Sequence, residues 1–180
     1  MKINLTQNKN FKLFKIISKV AQENNQTVYI VGGYVRDLLM QRKAPTDIDF
    51  VTEQSGIELA KAVGKELGDL KVSVFKTYGT AMIKYQDLDL EFVGARKESY
   101  SEDSRKPAVE TGTLEDDQKR RDFTVNALAI SLNSENFGEL IDPFNGREDM
   151  LNKILRTPLE PAQTYSDDPL RMMRAIRFAS

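Results

Sequence analysis

Residues 27–51 read TVYIVGGYVRDLLMQRKAPTDIDFV, and the order of patterns in this stretch decides how the rest is read. Thr27 to Val31 is a β-branched run, which favours a strand. It ends on Gly32-Gly33, and Tyr34 to Gln41 has the composition of a short helix, so the diglycine falls at a strand-to-helix turn. Asp47 to Val51 then alternates polar and apolar residues, which predicts a second strand. Strand, glycine turn, short helix and returning strand put the glycines beside Asp47 and Asp49 on neighbouring strands.

Working outward, Phe11, Phe14, Ile16, Ile17, Val20 and Ala21 recur at helical spacing and predict a helix over 9–24. A helix over 55–67 follows the second strand, with Ser55 as its N-cap. Val72 to Phe75, Thr80 to Tyr85 and Leu88 to Val93 read as strands, the last two a hairpin around Gln86-Asp87. Residues 95–118 show no period and read as a long charged loop. A helix near 119–127, strands at Leu128–Leu132 and Glu139–Ile141, a helix over Gly146–Lys153 and a strand at Ile154–Arg156 are expected next. Pro158 and Pro161 mark a break, and from Asp168 a helical pattern runs to Ser180 without a stop signal. The expected class is mixed α/β, with a head domain over 1–160. Residues 161–180 read as the start of a helical region that is cut short.

Composition excludes more than it suggests. The 180 residues carry a formal net charge of −1, so no global basic field announces a nucleic acid. With no cysteine and no histidine, disulfides, thiolate chemistry, catalytic triads and imidazole metal sites are all ruled out. Chemistry here must use carboxylates, hydroxyls, Lys, Arg or a metal held by oxygen, which means Mg²⁺, Mn²⁺ or Ca²⁺. There is no signal-peptide pattern and no apolar run near the roughly 18 residues a membrane span needs, so a cytoplasmic protein is expected. Nothing in the sequence speaks to oligomeric state.

Asp47 and Asp49 share one strand face about 6–7 Å apart, and such a pair can bridge two ions roughly 3.5–4 Å from each other. Alone, the pattern fits a solvated strand face better. A third ligand would come from LDLEFV, where Asp87, Asp89 and Glu91 lie opposite Leu88, Leu90 and Phe92; periodicity does not choose among the three acids. Gly32-Gly33 with Arg36 one turn later could cradle a phosphate, although a lone diglycine is more often a plain turn. Arg120 and Arg121, read as a helix start, oppose the helix dipole and call for an anion. Arg171, Arg174 and Arg177 line one helix face behind Asp167 and Asp168; read alone, that is an ordinary solvated basic face.

Taken together, GGYVRDLL at 32–39, TDIDF at 46–50, RRDFTVNALA at 120–129, IDPFNG at 141–146 and DDPLRMMRAIRF at 167–178 resemble one family. They are similar, in that order, to the class II tRNA nucleotidyltransferases (CCA-adding enzymes) and bacterial poly(A) polymerases, within the polymerase-beta-like superfamily. The resemblance implies a catalytic head in which Asp47, Asp49 and Glu91 hold two Mg²⁺ ions, or Mn²⁺, thereby selecting Glu91 among the three acids. It also implies nucleotide contacts from Gly32, Gly33, Arg36, Arg121, Arg174 and Arg177, and a protein template for the base formed by Asp168 and Arg171. The stretch RKESYSEDSRKP at 96–107 resembles the family's flexible loop. One departure stands out: Asp167-Asp168 replaces the family's Glu-Asp, which puts the role of residue 167 in doubt. The implied reaction transfers CMP or AMP from CTP or ATP to the 3′ end of tRNA. Addition of A alone, addition of CC alone (mildly disfavoured by the 96–107 stretch) and poly(A) synthesis remain alternatives. A non-catalytic nucleotide- or RNA-binding fragment is the alternative of another class.

Overall fold

The computed structural model describes residues 1–180 apart from Ala44, Glu102, Asp103 and Ser180, and between residues 97 and 110 it describes backbone alone. Seven strands make one mixed sheet: β1 (Tyr29–Val31), β2 (Asp47–Thr52), β3 (Val72–Phe75), β4 (Thr80–Tyr85), β5 (Leu88–Gly94), β8 (Ala129–Ser131) and β9 (Leu140–Ile141). Their order is β3-β4-β5-β2-β1-β8-β9. β2 and β5 run parallel, while the other neighbours pair antiparallel. The expected mixed α/β head is the architecture found.

Alternation in β2 and β5 decides which side is which. Ile48, Phe50, Leu90 and Phe92 are fully buried, and the Phe50 and Phe92 rings stack with centroids 5.0 Å apart. Two helices cover that face: α1 (Phe11–Glu23), through Leu13, Phe14, Ile17, Val20 and Ala21, and α3 (Gly56–Glu66), through Leu59, Ala60 and Val63. Ser55 caps α3 as expected, accepting the Glu58 amide at 3.2 Å. The opposite face carries Asp47 and Asp49, with a small second cluster of Val31, Val51, Ala95, Ala129 and Leu114. α2 (Gly33–Leu39) follows the glycine turn.

Three expectations are corrected. Residues 95–118 are not a structureless loop: β6 (Arg96–Ser101) and β7 (Ser104–Thr111) pair antiparallel, and α4 (Leu114–Lys119) follows. The hairpin pairs apart from the main sheet, so no apolar alternation marks it. Glu102 and Asp103 of the 96–107 stretch lie outside the described residues. No helix begins at Arg120; α4 ends at Lys119 and a single 3₁₀ turn covers Thr124–Asn126. Ile154–Arg156 forms no strand.

After α5 (Gly146–Asn152), the chain re-enters helix at Pro161 in α6 (Pro161–Asp167), with proline at a first-turn position where its missing N–H costs nothing. α7 (Leu170–Ala179) is the last described helix. Asp167 therefore closes α6 instead of opening α7. No helix among the described residues is long and apolar enough to cross a membrane.

Candidate active site

The parallel register of β2 and β5 aligns Asp47 with Asp89 and Asp49 with Glu91, all on the face away from the main core. Of the three acids left open by periodicity, Glu91 lies opposite Asp49. Asp89 stands 3.6 Å from Lys84 in an exposed ion pair, and Asp87 sits in the β4–β5 turn. Burial pushes the Asp49 carboxyl above its ordinary range, with Asp47 and Asp117 adding repulsion that Arg121 partly offsets. Burial likewise raises Glu91, helped by Asp49. These are hard oxygen donors whose crowding favours a neutralising cation, and the donor set suits Mg²⁺ or Mn²⁺. Among the described residues no three acids already close around one point. The side chains share a face and a register.

The glycine turn closes on the same place. Gly32 has φ +73°, ψ −137°, a conformation reserved for glycine. A Cβ built there would stand 2.9 Å from Arg121 Nη1 and 3.5 Å from Asp49 Oδ2. The missing side chain thus lets an arginine and a carboxylate approach the turn together. Arg36 packs beside Gly33 and donates to Asp37 and, through Nη1, to Asn126 Oδ1 at 2.7 Å.

Arg120 and Arg121 occupy the C-terminal end of α4, where cations suit the dipole, so the expected conflict does not arise. Both guanidiniums bind Asp117, which is completely buried. Arg121 Nε and Nη2 donate to Asp117 Oδ2 at 3.0 and 2.8 Å, and Arg120 Nη2 donates to Oδ1. Burial alone would raise the Asp117 carboxyl, but Arg121 and Arg120 prevail and hold it below its ordinary range. Sequence reading missed Asp117. Its i+3 and i+4 spacing to the arginines was the available signal, as was Thr113 three residues before Asp116, which forms a capping box. Gln118, also buried, donates to Ala127 O at 2.6 Å and to Ile141 O in β9 at 3.3 Å, tying α4 to the sheet's edge.

α7 joins this side through its arginines. Arg171 Nη2 donates to Arg120 O at 2.7 Å, and its Nε stands 3.8 Å from Asp168 Oδ2. Arg174 Nε donates to Asp122 Oδ2 at 2.7 Å, and Asp122 Oδ1 accepts from Asn126. Arg36, Arg174 and Arg177 stand 5.3, 5.6 and 5.4 Å from the ring centre of Phe178. Phe178 in turn meets buried Phe123 edge-on at 5.6 Å. Phe178 was another residue without an assigned role in the sequence. The 141–146 motif proves to be scaffolding: Asp142 accepts the Gly146 amide at 2.7 Å, and a Cβ on Gly146 would lie 2.2 Å from Thr124 O.

The glycine turn, the carboxylate pair, the double arginine and the C-terminal arginines are therefore one connected surface. Arg36, Arg174 and Arg177 gather around Phe178, while Arg121 lies with the carboxylates. Arg174 is bonded to Asp122 and Arg36 to Asp37 and Asn126, so neither side chain stands open for a ligand in this arrangement.

Comparison with known proteins adds the following. Residues 28–156 match the profile described as the Poly A polymerase head domain. An A-adding tRNA nucleotidyltransferase of Aquifex aeolicus is 46% identical over 151 residues, which cover 84% of this chain and 18% of that protein. A crystal structure of a tRNA nucleotidyltransferase complexed with a primer tRNA and an incoming ATP analog superposes with a TM-score of 0.79. It is 41% identical, over 91% of this chain and 44% of that one. A CCA-adding enzyme in an apo form reaches a TM-score of 0.86 at 38% identity, over 96% of this chain and 40% of that one. The chain spans less than half the length of the curated relatives it matches.

Proposed function

The chain belongs to the Poly A polymerase head-domain family, and we propose that it is the catalytic head of an enzyme that transfers CMP or AMP from CTP or ATP to the 3′ end of tRNA. The observation that carries this reading is the placement of Asp49 directly opposite Glu91, one residue pair from Asp47, with Arg121 laid against Gly32 beside them. Nucleotidyltransferases of this kind generally use divalent metals. Here Asp47, Asp49 and Glu91 would hold Mg²⁺ or Mn²⁺, which when bound stabilises charge on the triphosphate and makes a hydroxyl more acidic.

The chain's own residues do the positioning. Arg121, fixed by Asp117, and the backbone of Gly32-Gly33 receive the triphosphate on the β1 side of the carboxylates. Asp168 and Arg171, adjacent across one helical turn, read the base edge. The arginines around Phe178 (Arg36, Arg174 and Arg177) add positive potential, with Arg174 and Arg36 contacting nucleotide on release from Asp122 and Asp37. In the reaction the RNA 3′ oxygen attacks the α-phosphorus and the bond to the β-phosphate oxygen breaks. Pyrophosphate leaves, and the hydroxyl proton passes to solvent. Residues 1–160 form the head in this reading, and 161–180 open a helical neck. The setting that goes with a tRNA substrate is the cytoplasm.

The A-adding relative favours a narrower second reading in which the terminal AMP alone is added. Incubation with tRNA lacking its 3′ end, in the presence of ATP, CTP or both, followed by sequencing of the product, tests both. Extension by CCA supports the first reading and extension by A alone the second. No extension by wild-type protein overturns them.

A further inference from the structure

α4 covers the β2–β1–β8 half of the carboxylate face through Leu114, while among the described residues the β5–β4–β3 half carries a groove. Register fixes two rows across that half: Glu91, Met82 and Ser73 in one, and Val93, Thr80 and Phe75 in the other. A groove of about 450 Å³ lies there, lined by Phe75, Tyr78, Met82 and Val93 together with Glu91 and Arg120. Phe75 is 47% exposed and Tyr78 66% exposed, so two aromatic rings face solvent beside a candidate catalytic acid.

We propose that this groove seats the terminal nucleoside of the acceptor RNA, its base stacked on Phe75 and Tyr78. The inference rests on the transferase reading given above and names where that reaction's second substrate lies. Three observations converge on it. Exposed aromatic faces next to a thioether suit a flat, apolar base, since every base has a π-face to stack. Arg96, whose Nη1 donates to Tyr78 O at 3.5 Å, and Arg120, paired with Asp117, belong to the same lining and add positive potential that draws a polynucleotide phosphate toward it. The sheet order also puts β5 between β4 and β2, so Glu91 has Met82 on one side and Asp49 on the other. The triphosphate residues, Gly32 and Arg121, lie on the Asp49 side. In-line displacement requires attacking and leaving oxygens on opposite sides of the phosphorus, and the groove supplies the side the triphosphate leaves free.

The chain contains no tryptophan, so Tyr78→Trp places a single indole in the groove. That variant is titrated with an oligoribonucleotide ending in CC and, separately, with ATP. The expected result is fluorescence quenching by the RNA and none by ATP. Adding Phe75→Ala should shift the RNA half-point upward by roughly ten- to a hundredfold, the usual weight of a lost base stack. Both side chains are exposed, and melts that match wild type guard against a folding artefact. Equal quenching by ATP overturns the proposal, as does no response to RNA at millimolar strand. Wild-type incorporation measured in parallel separates the two ideas. Incorporation without an indole response leaves the transferase reading standing and removes the groove; an indole response without incorporation overturns the transferase reading and with it the groove's role as acceptor seat, leaving RNA binding alone.

Discussion

Asp117 grips Arg121 at two points with a single oxygen, Nε at 3.0 Å and Nη2 at 2.8 Å, at a carboxylate that water does not reach. Asp117 is sealed from solvent and reaches the site through Arg121, so its role is to aim that guanidinium at the glycine turn. Asp117→Asn should cost about 3 kcal/mol, because two guanidiniums lose their buried counter-charge. For a domain of this size that is a drop in Tm of roughly 6–12 °C. Among the molecules still folded at low temperature, KM for ATP should rise more than kcat falls. A melt unchanged from wild type would sink this account.

Asp49 and Glu91 carry raised carboxyls, whereas Asp117 carries a lowered one, so their pH effects on stability oppose each other. For the raised pair the unfolded chain ionises first, so stability falls as pH climbs from the ordinary carboxylate range through their folded values. For Asp117, stability is present above its ordinary value and is lost as pH falls through the lowered one. Asp49→Asn should therefore abolish nucleotide incorporation and raise Tm at neutral pH, by roughly 2–4 °C for each kcal/mol of relieved repulsion. Melting curves across pH 3 to 8 for both proteins check this.

Millimolar Mg²⁺ or Mn²⁺ should raise the Tm of the wild type, since a ligand that favours the native state stabilises it by mass action. Asp49→Asn and Glu91→Gln should blunt that rise. Equal metal-induced shifts in all three proteins would place the ions elsewhere.

Gly32→Ala tests the close approach. The backbone conformation alone should cost about 1–3 kcal/mol, and the new methyl must displace Arg121 from 2.9 Å. Incorporation should fall at least tenfold, while the far-UV spectrum of the surviving folded protein stays that of wild type.

Arg174 and Asp122 should be coupled. Each alanine substitution loses the same ion pair, so the double variant should be less destabilised than the sum of the singles by about 1 kcal/mol. Limited proteolysis gives a second readout: cleavage between α5 and α6 should speed up in either single variant.

The fold was legible wherever burial imposed a period. Phe14, Ile17 and Val20 announced α1, and the alternation through Ile48 and Phe50 announced β2, because each had one wet and one dry side. The β6–β7 hairpin pairs outside the main sheet and gave no such signal. The RRDF stretch misled for a different reason. Leu128, Val125 and Phe123 are buried through an irregular 3₁₀ path, so an apolar run mimicked a helix that does not form. At the candidate site, local spacing put Asp47 and Asp49 on one strand face but could not single out Glu91, whose place opposite Asp49 depends on a parallel register no local pattern encodes. Asp117 escaped notice because an acid amid charged neighbours looks solvated until tertiary packing seals it in.

Strands β2 and β5 are joined by α3, β3 and β4, yet the acid pair exists only once those two strands lie side by side. Asp49 and Glu91, 42 residues apart in sequence, become neighbours through strand pairing alone, so any change that slips this seam by one residue turns one acid to the opposite side and separates the two.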